Sequence, residues 1–257
     1  MLERRRFCAA AAGAALLASR SRGALAAAEV RVAAASDLKF AVAELAAGYE
    51  RETEQHVQLN LGSSGHFAQQ IRQGLPVDIF MAADEDFVFQ LADAGLTQGR
   101  GALYALGRIA AIVPAVSAVA LDIELRGLRA SWGAIASFAI ANPEHAPYGR
   151  AARQALERLG LWDLALPKLV LGENIAQTTQ FVTSGAAQAG ITALSLALAP
   201  EVARSVRHVA LPAALHAPLR QRMVLLKGAL PQAAGFFDFV RSATAKAVLS
   251  RYGFAFE

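Results

Sequence analysis

Residues 30–49 read VRVAAASDLKFAVAELAAGY. The first six positions form a short apolar run that stops at Ser36-Asp37, and a run of that length bounded by polar residues predicts a buried strand. From Asp37 onward the period changes. Leu38, Ala41, Val42, Leu45 and Ala46 recur three or four residues apart, the spacing of an amphipathic helix. A second strand is predicted over residues 57–61; it runs into Gly62-Ser63-Ser64-Gly65 and then a helix over 66–73. A third strand is predicted over 77–82, and Asp84 is placed to cap a helix through Ala94. Strand, helix and strand in this rhythm imply βαβ units and a parallel sheet, hence an α/β fold.

Further along, residues 103–113 form an apolar stretch interrupted by Gly107 and ended by Pro114, suited to carry the chain from one lobe to another. A helix start is predicted within 128–134. Strands are expected over 138–141, 168–171, 189–193 and 222–227, helices over 151–159 and 175–184, and one amphipathic helix over 235–250.

The N-terminus has the form of an export signal. Arg4, Arg5 and Arg6 precede Phe7 and an alanine- and leucine-rich segment, and Ala24, Ala26, Ala27 and Ala28 offer a cleavage site. Arg5-Arg6-Phe7 fits a twin-arginine signal, and an ordinary secretory signal is the alternative. Five arginines against one glutamate in residues 1–28 account for the whole formal charge of +4. The remaining chain is neutral, which removes any charge argument for nucleic-acid binding. The sole cysteine, Cys8, lies inside this segment, so the mature chain has no disulfide, thiolate nucleophile or cysteine metal site. No uncharged apolar run approaches the roughly 20 residues of a membrane span.

Four strand-to-helix junctions share a chemistry. Ser36-Asp37, Ser63-Ser64-Gly65, Pro147-Tyr148-Gly149 and Asn174-Ile175 place hydroxyls or free backbone N–H groups where a helix begins. Helix N-termini bind anions, and open parallel sheets collect ligands at the carboxyl ends of their strands. Converging, these junctions would make a cage of neutral donors for an oxyanion. Each also has a plainer reading: Ser36 as an N-cap, Tyr148 as a partly buried aromatic in a proline-containing loop, Ile175 as helix core. Glu144-His145 reads as a turn, His66 as a solvated helix-start histidine, and Trp132 and Trp162 as packing residues. The five histidines show no metal-ligand spacing, and no nucleophile–base pair stands out.

Several segments occur together in a recognisable order: Ala33-Ala34-Ala35-Ser36-Asp37-Leu38, Ser63-Ser64-Gly65, Gly74-Leu75-Pro76-Val77-Asp78-Ile79-Phe80, Asn142-Pro143-Glu144-His145-Ala146-Pro147-Tyr148-Gly149, Leu159-Gly160-Leu161-Trp162-Asp163 and Arg251-Tyr252-Gly253-Phe254. With these the chain resembles the substrate-binding proteins of molybdate ABC transporters over essentially its whole mature length. The resemblance implies a type II periplasmic binding protein of two α/β lobes, each a mainly parallel sheet flanked by helices. Lobe 1 would take residues 29–108 and 219–257, lobe 2 residues 109–218, after a signal over 1–28. It further implies a periplasmic, monomeric, non-enzymatic protein without cofactor or nucleic-acid partner. Such a protein holds molybdate, and tungstate with it, for an ABC permease, with no metal beyond the molybdenum oxyanion itself.

Carried onto this sequence, the resemblance assigns ligand hydroxyls to Ser36, Ser64 and Tyr148 and backbone N–H groups to Asp37 and Ile175. Some members have a tyrosine where this chain has Thr192-Ala193 and an alanine where it has Tyr148, so one donor is relocated and Ala193 is left without a clear role. The Asp37 side chain is expected to point away from the ion, steadied by the helix dipole and by Lys39 or Arg72. The alternative is that it accepts a proton from an ion such as phosphate. Sulfate or phosphate is the alternative ligand.

Overall fold

The computed structural model describes residues 29–257; the signal expected over 1–28 lies outside the described residues. Ten strands alternate with helices: β1 (Val30–Ala35), β2 (Val57–Gly62), β3 (Ile79–Ala82), β4 (Ala102–Gly107), β5 (Ile109–Pro114), β6 (Phe138–Ala141), β7 (Leu169–Gly172), β8 (Ala189–Ala193), β9 (Val206–Ala210) and β10 (Leu219–Leu225). The helices that matter here are α1 (Lys39–Thr53), α2 (Ser64–Arg72), α3 (Glu85–Asp93), α4 (Arg126–Ala130) and α5 (Pro147–Arg158). A short α6 (Trp162–Ala165) precedes α7 (Ile175–Thr183), α8 (Leu194–Ala197) and α9 (Pro200–Ala203), and α10 (Ala233–Val240) and α11 (Ala243–Arg251) end the chain.

The strands form two five-stranded sheets, ordered β2-β1-β3-β10-β4 and β7-β6-β8-β5-β9. In each, the first three strands pair in parallel and the fourth is antiparallel to both neighbours. Four of five strands therefore share a direction, and the reversed one (β10 or β5) follows a crossing between sheets. The outward crossing is abrupt: β4 ends at Gly107, β5 begins at Ile109, and Arg108 alone lies between them. This is the segment whose apolar run is broken by Gly107. The return crossing leads from β9 to β10.

Each sheet is covered on both faces, which is why β1, β3, β5, β6 and β8 are buried almost throughout and read as short apolar runs rather than alternations. In the first lobe, Val32, Leu38, Leu45, Met81 and Phe236 pack on one side, and Ala33, Phe67, Phe80, Leu91 and Val224 on the other. The second lobe centres on Ile109, Leu128, Phe138, Ile140 and Leu156, joined by Ala35, Ala83 and Leu219 from the first. Apolar packing is thus continuous beneath the junction of the lobes. Trp132 and Trp162 both belong to the second-lobe cluster.

Two local expectations are corrected, and one strand is added. Helix α5 begins at Pro147, so Tyr148 sits in its first turn instead of a loop; proline at the first helical position has its φ preset and no N–H to waste. The C-terminal helix is two helices, because Ser242 leaves helical conformation and its side chain accepts from Ala245 N–H at 3.1 Å, capping α11. Strand β9 has Arg207 and His208 side by side and no apolar run, so hydrophobic periodicity does not reveal it. Among the described residues, no helix is long and apolar enough to cross a membrane.

Candidate functional site

The carboxyl ends of β1, β2, β3, β6 and β7 face one another across the lobe boundary. A small cavity there is lined by Ser36 and Asp37, Ser63 and Ser64, Pro147 and Tyr148, and Asn174 and Ile175, with Ala35, Gly62, Ala83 and Ala146 filling the gaps. All four junctions singled out in the sequence meet at this point, and they bring Ser36, Asp37, Ser64, Tyr148 and Ile175 together. Among the described residues lining it there is no lysine or arginine. It leaves ≈ 10 Å³ for the centre of a water-sized group, about the room of a single water molecule. Ala193 pairs with Ile109 inside the second sheet and is not part of the lining. A wider cleft of ≈ 490 Å³ adjoins the cavity at Ser36 and Asn174 and opens between Lys39, Phe40, Gln177 and Gln180.

The donors are held by contacts that run between lobes. Ser36 Oγ donates to Asn174 Oδ1 at 3.1 Å and accepts from Ala176 N–H at 3.2 Å. Asn174 Oδ1 also caps α7, accepting from Gln177 N–H at 3.0 Å. Ser64 Oγ accepts from Ala83 N–H at 2.9 Å, which fixes the hydroxyl through its oxygen while its proton remains a donor. The first N–H groups of α2 and α7, at Ser64 and Ile175, have no partner within their own helices. Beside them, Ser63 Oγ donates to the His145 carbonyl at 2.7 Å and Gly65 N–H to the same oxygen at 3.1 Å. A Cβ at Gly65 would stand 2.6 Å from that carbonyl, so glycine is what lets the two backbones meet. Arg150 pairs with Asp84 across the same boundary; Asp84 also caps α3 as expected, accepting from Asp86 N–H at 3.0 Å.

Asp37 departs from expectation. Its side chain is fully buried and is steadied by neither Lys39 nor Arg72, which turn to Phe40 and Gln90. Instead Oδ2 accepts from Gln221 Nε2 at 2.6 Å and from the Tyr148 hydroxyl at 2.9 Å. The phenol expected to serve a ligand is therefore donated to a carboxylate of the opposite lobe. Gln221 Oε1 in turn accepts from the Tyr104 hydroxyl at 2.8 Å. Asp37 Oδ1 has no hydrogen-bond partner. Burial raises the carboxyl from 3.8 to about 7; Gln221, Tyr148 and the nearby Asp37 and Leu38 backbone N–H groups oppose the rise without cancelling it. Burial, with the adjacent Asp37, also holds the Tyr104 and Tyr148 phenols above their ordinary values.

Gln221 and Tyr104 were not legible as site residues. One signal was available: alternation along β10 places Gln221 on the inward face with Leu219 and Met223, between outward Arg220 and Arg222, and a buried amide there needs polar partners. His66, half-exposed in the first turn of α2, and His145, in a turn before α5, keep their expected local places, but the fold brings them together. His66 and His145, far apart in sequence, stack with ring centroids 3.8 Å apart, and Glu173 lies beside both.

Two α/β lobes joined by crossing strands, with a donor-lined cavity closed between them, define a periplasmic-binding-protein fold. The chain belongs to the bacterial extracellular solute-binding protein family, which it matches over residues 30–255. It is 34% identical to the molybdate-binding protein ModA of Azotobacter vinelandii over 250 residues, 96% of each chain. To the molybdate-binding protein ModA of Rhodobacter capsulatus it is 32% identical over 235 residues, 90% of each. The solved structure of the Azotobacter vinelandii periplasmic molybdate-binding protein superposes with a TM-score of 0.81 at 27% identity, covering 89% of this chain and 99% of that one.

Proposed function

We propose that the protein captures molybdate, and tungstate with it, outside the cytoplasm and delivers it to an ABC permease for import. The observation that carries this reading is the cavity of neutral donors at the lobe boundary, lined by Ser36, Ser64 and Ile175 without a cation. Molybdate is fully deprotonated near neutral pH and asks only for donors. Hydrogen bonds to a charged acceptor contribute about 1.5–3 kcal/mol each, so several can hold a dianion without a countercharge whose desolvation would offset its attraction. Relatives that carry molybdate in their names support the choice of ion. In this reading Ser64 donates to the ion through its hydroxyl, Asp37 and Ile175 donate through their backbone N–H groups, Ser36 and Tyr148 shape the site through side chains bonded to Asn174 and Asp37, and the lobes are residues 29–108 with 219–257, and 109–218. The protein works as a monomer without catalysis, in the periplasm, after export by the twin-arginine or an ordinary secretory route.

Calorimetric titration tests it. Molybdate is expected to bind tightly, one ion per chain, with little competition from excess sulfate or phosphate. Displacement by phosphate at equal concentration would assign the site to the protonated ion and give Asp37 the role of proton acceptor. Ser64→Ala and Tyr148→Phe are each expected to weaken molybdate by about 1–3 kcal/mol. Ser64→Ala acts by removing a donor. Tyr148→Phe acts by leaving Asp37 short of one. Unchanged affinity in both variants would discard the donor cage.

A further inference from the structure

We propose that His66, His145 and Glu173 form a zinc site that latches the two lobes at the solvent-facing edge of their boundary. His66 lies on α2 of the first lobe, while His145 and Glu173 precede α5 and α7 of the second. His145 Nε2 is 3.8 Å and His66 Nδ1 4.0 Å from Glu173 Oε2, and the ligand atoms of all three lie within 4.8 Å of one another. Zinc bonds of about 2.0–2.2 Å to nitrogen and carboxylate oxygen bring ligand atoms to roughly 3.3 Å. Because the His66 and His145 rings stack 3.8 Å apart, His66 must turn its ring to bring its in-plane lone pair onto the metal, and the groups that move are free to do so: the Glu173 side chain is 67% exposed and that of His66 42%.

His145 is the fixed member, and its tautomer follows from its partners. Ser63 Oγ lies 3.1 Å from His145 Nδ1, and its single proton is already donated to the His145 carbonyl at 2.7 Å. Nδ1 must then carry the hydrogen and donate to Ser63, which leaves the Nε2 lone pair on the side of Glu173. A histidine oriented by a hydrogen bond from its other ring nitrogen is how metal-ligating imidazoles are commonly held. Two imidazoles and one carboxylate suit zinc, with a fourth position left for water. Ser63 also lines the oxyanion cavity, so an ion spanning His66 and His145 would stabilise the same closed arrangement that the cavity needs.

The test uses tag-free protein from the periplasmic fraction, washed with chelator and titrated with zinc chloride in a non-coordinating buffer. One zinc per chain is expected, with Kd in the low micromolar range or below. His66→Ala and Glu173→Gln, both exposed enough to leave folding intact, are expected to weaken zinc at least tenfold. Saturating zinc is expected to tighten molybdate severalfold in the native chain and not in His66→Ala. Absent zinc binding, or native zinc affinity retained in both variants, overturns the site. Zinc bound with molybdate affinity unchanged overturns the latch. The zinc titration needs no oxyanion, so its outcome is independent of whether molybdate is the ligand.

Discussion

Asp37→Asn is expected to gain stability relative to the native chain, by about 2–3 kcal/mol, between pH 5 and pH 8. Burial pushes the Asp37 carboxyl up from its ordinary 3.8 to about 7 in the fold. Between those values the folded chain keeps a proton that the unfolded chain has released. Native stability from this group therefore declines from near pH 4 and levels off above pH 7, by about 1.4 kcal/mol per pH unit across the window. Asparagine is neutral throughout and carries no such slope. His145 and His216, held below their ordinary value chiefly by burial, tilt stability the other way as pH falls below about 6.5. Comparing variant with native chain at each pH cancels them. Denaturant unfolding at the two pH values measures the difference, and a difference that stays constant would refute a buried, protonated Asp37. Oxyanion affinity gives a second readout. In the native chain it is expected to fall as pH rises through 7, where an ionised Asp37 would face a dianion, and in the variant to stay level.

Gly149→Ala is expected to destabilise the fold by about 3 kcal/mol and to abolish oxyanion binding. Helix propensity alone predicts the opposite sign, since alanine is favoured over glycine by about 1 kcal/mol inside a helix. The contact decides. A Cβ at Gly149 would stand 2.2 Å from the Ala141 carbonyl oxygen and 2.8 Å from the Ala141 and Asn142 carbonyl carbons. All three are backbone atoms at the end of β6, unable to swing aside as a side chain can. Relief requires the start of α5 to move away from β6, and that displaces Tyr148, which shares its first turn. Thermal unfolding together with a molybdate titration checks both effects; a stabilised variant would show that propensity outweighs the contact.

The location of the candidate site was largely legible in the sequence, because strand-to-helix junctions are local events. Ser36 at the end of an apolar run, Ser64 after Gly62-Ser63, and Asn174 ahead of a helical pattern are each recognisable from neighbours a few residues away, and parallel topology then gathers such junctions at one edge. What each side chain does on arrival was less legible. Tyr148 was read as a free donor, yet its proton goes to Asp37. Gln221 escaped notice because its partners, Asp37, Tyr148 and Tyr104, come from three other segments of the chain.

The sequence by itself determined the α/β rhythm, the junctions that donate, the neutral balance of the chain beyond residue 28 and the family to which the chain belongs. The first three follow from periodicity, local turn chemistry and composition, and the family follows from the ordered motifs the chain shares with it; none of these depends on distant contacts. Only the tertiary structure decided that Asp37 is buried without a cation, that Ser36 and Tyr148 bond across the lobe boundary, and that His66 reaches His145 and Glu173. The physical reason is that burial and pairing are properties of the packed state. A carboxyl's charge depends on what surrounds it in space, and the groups surrounding Asp37 come together only when β10 and α5 close over the end of β1.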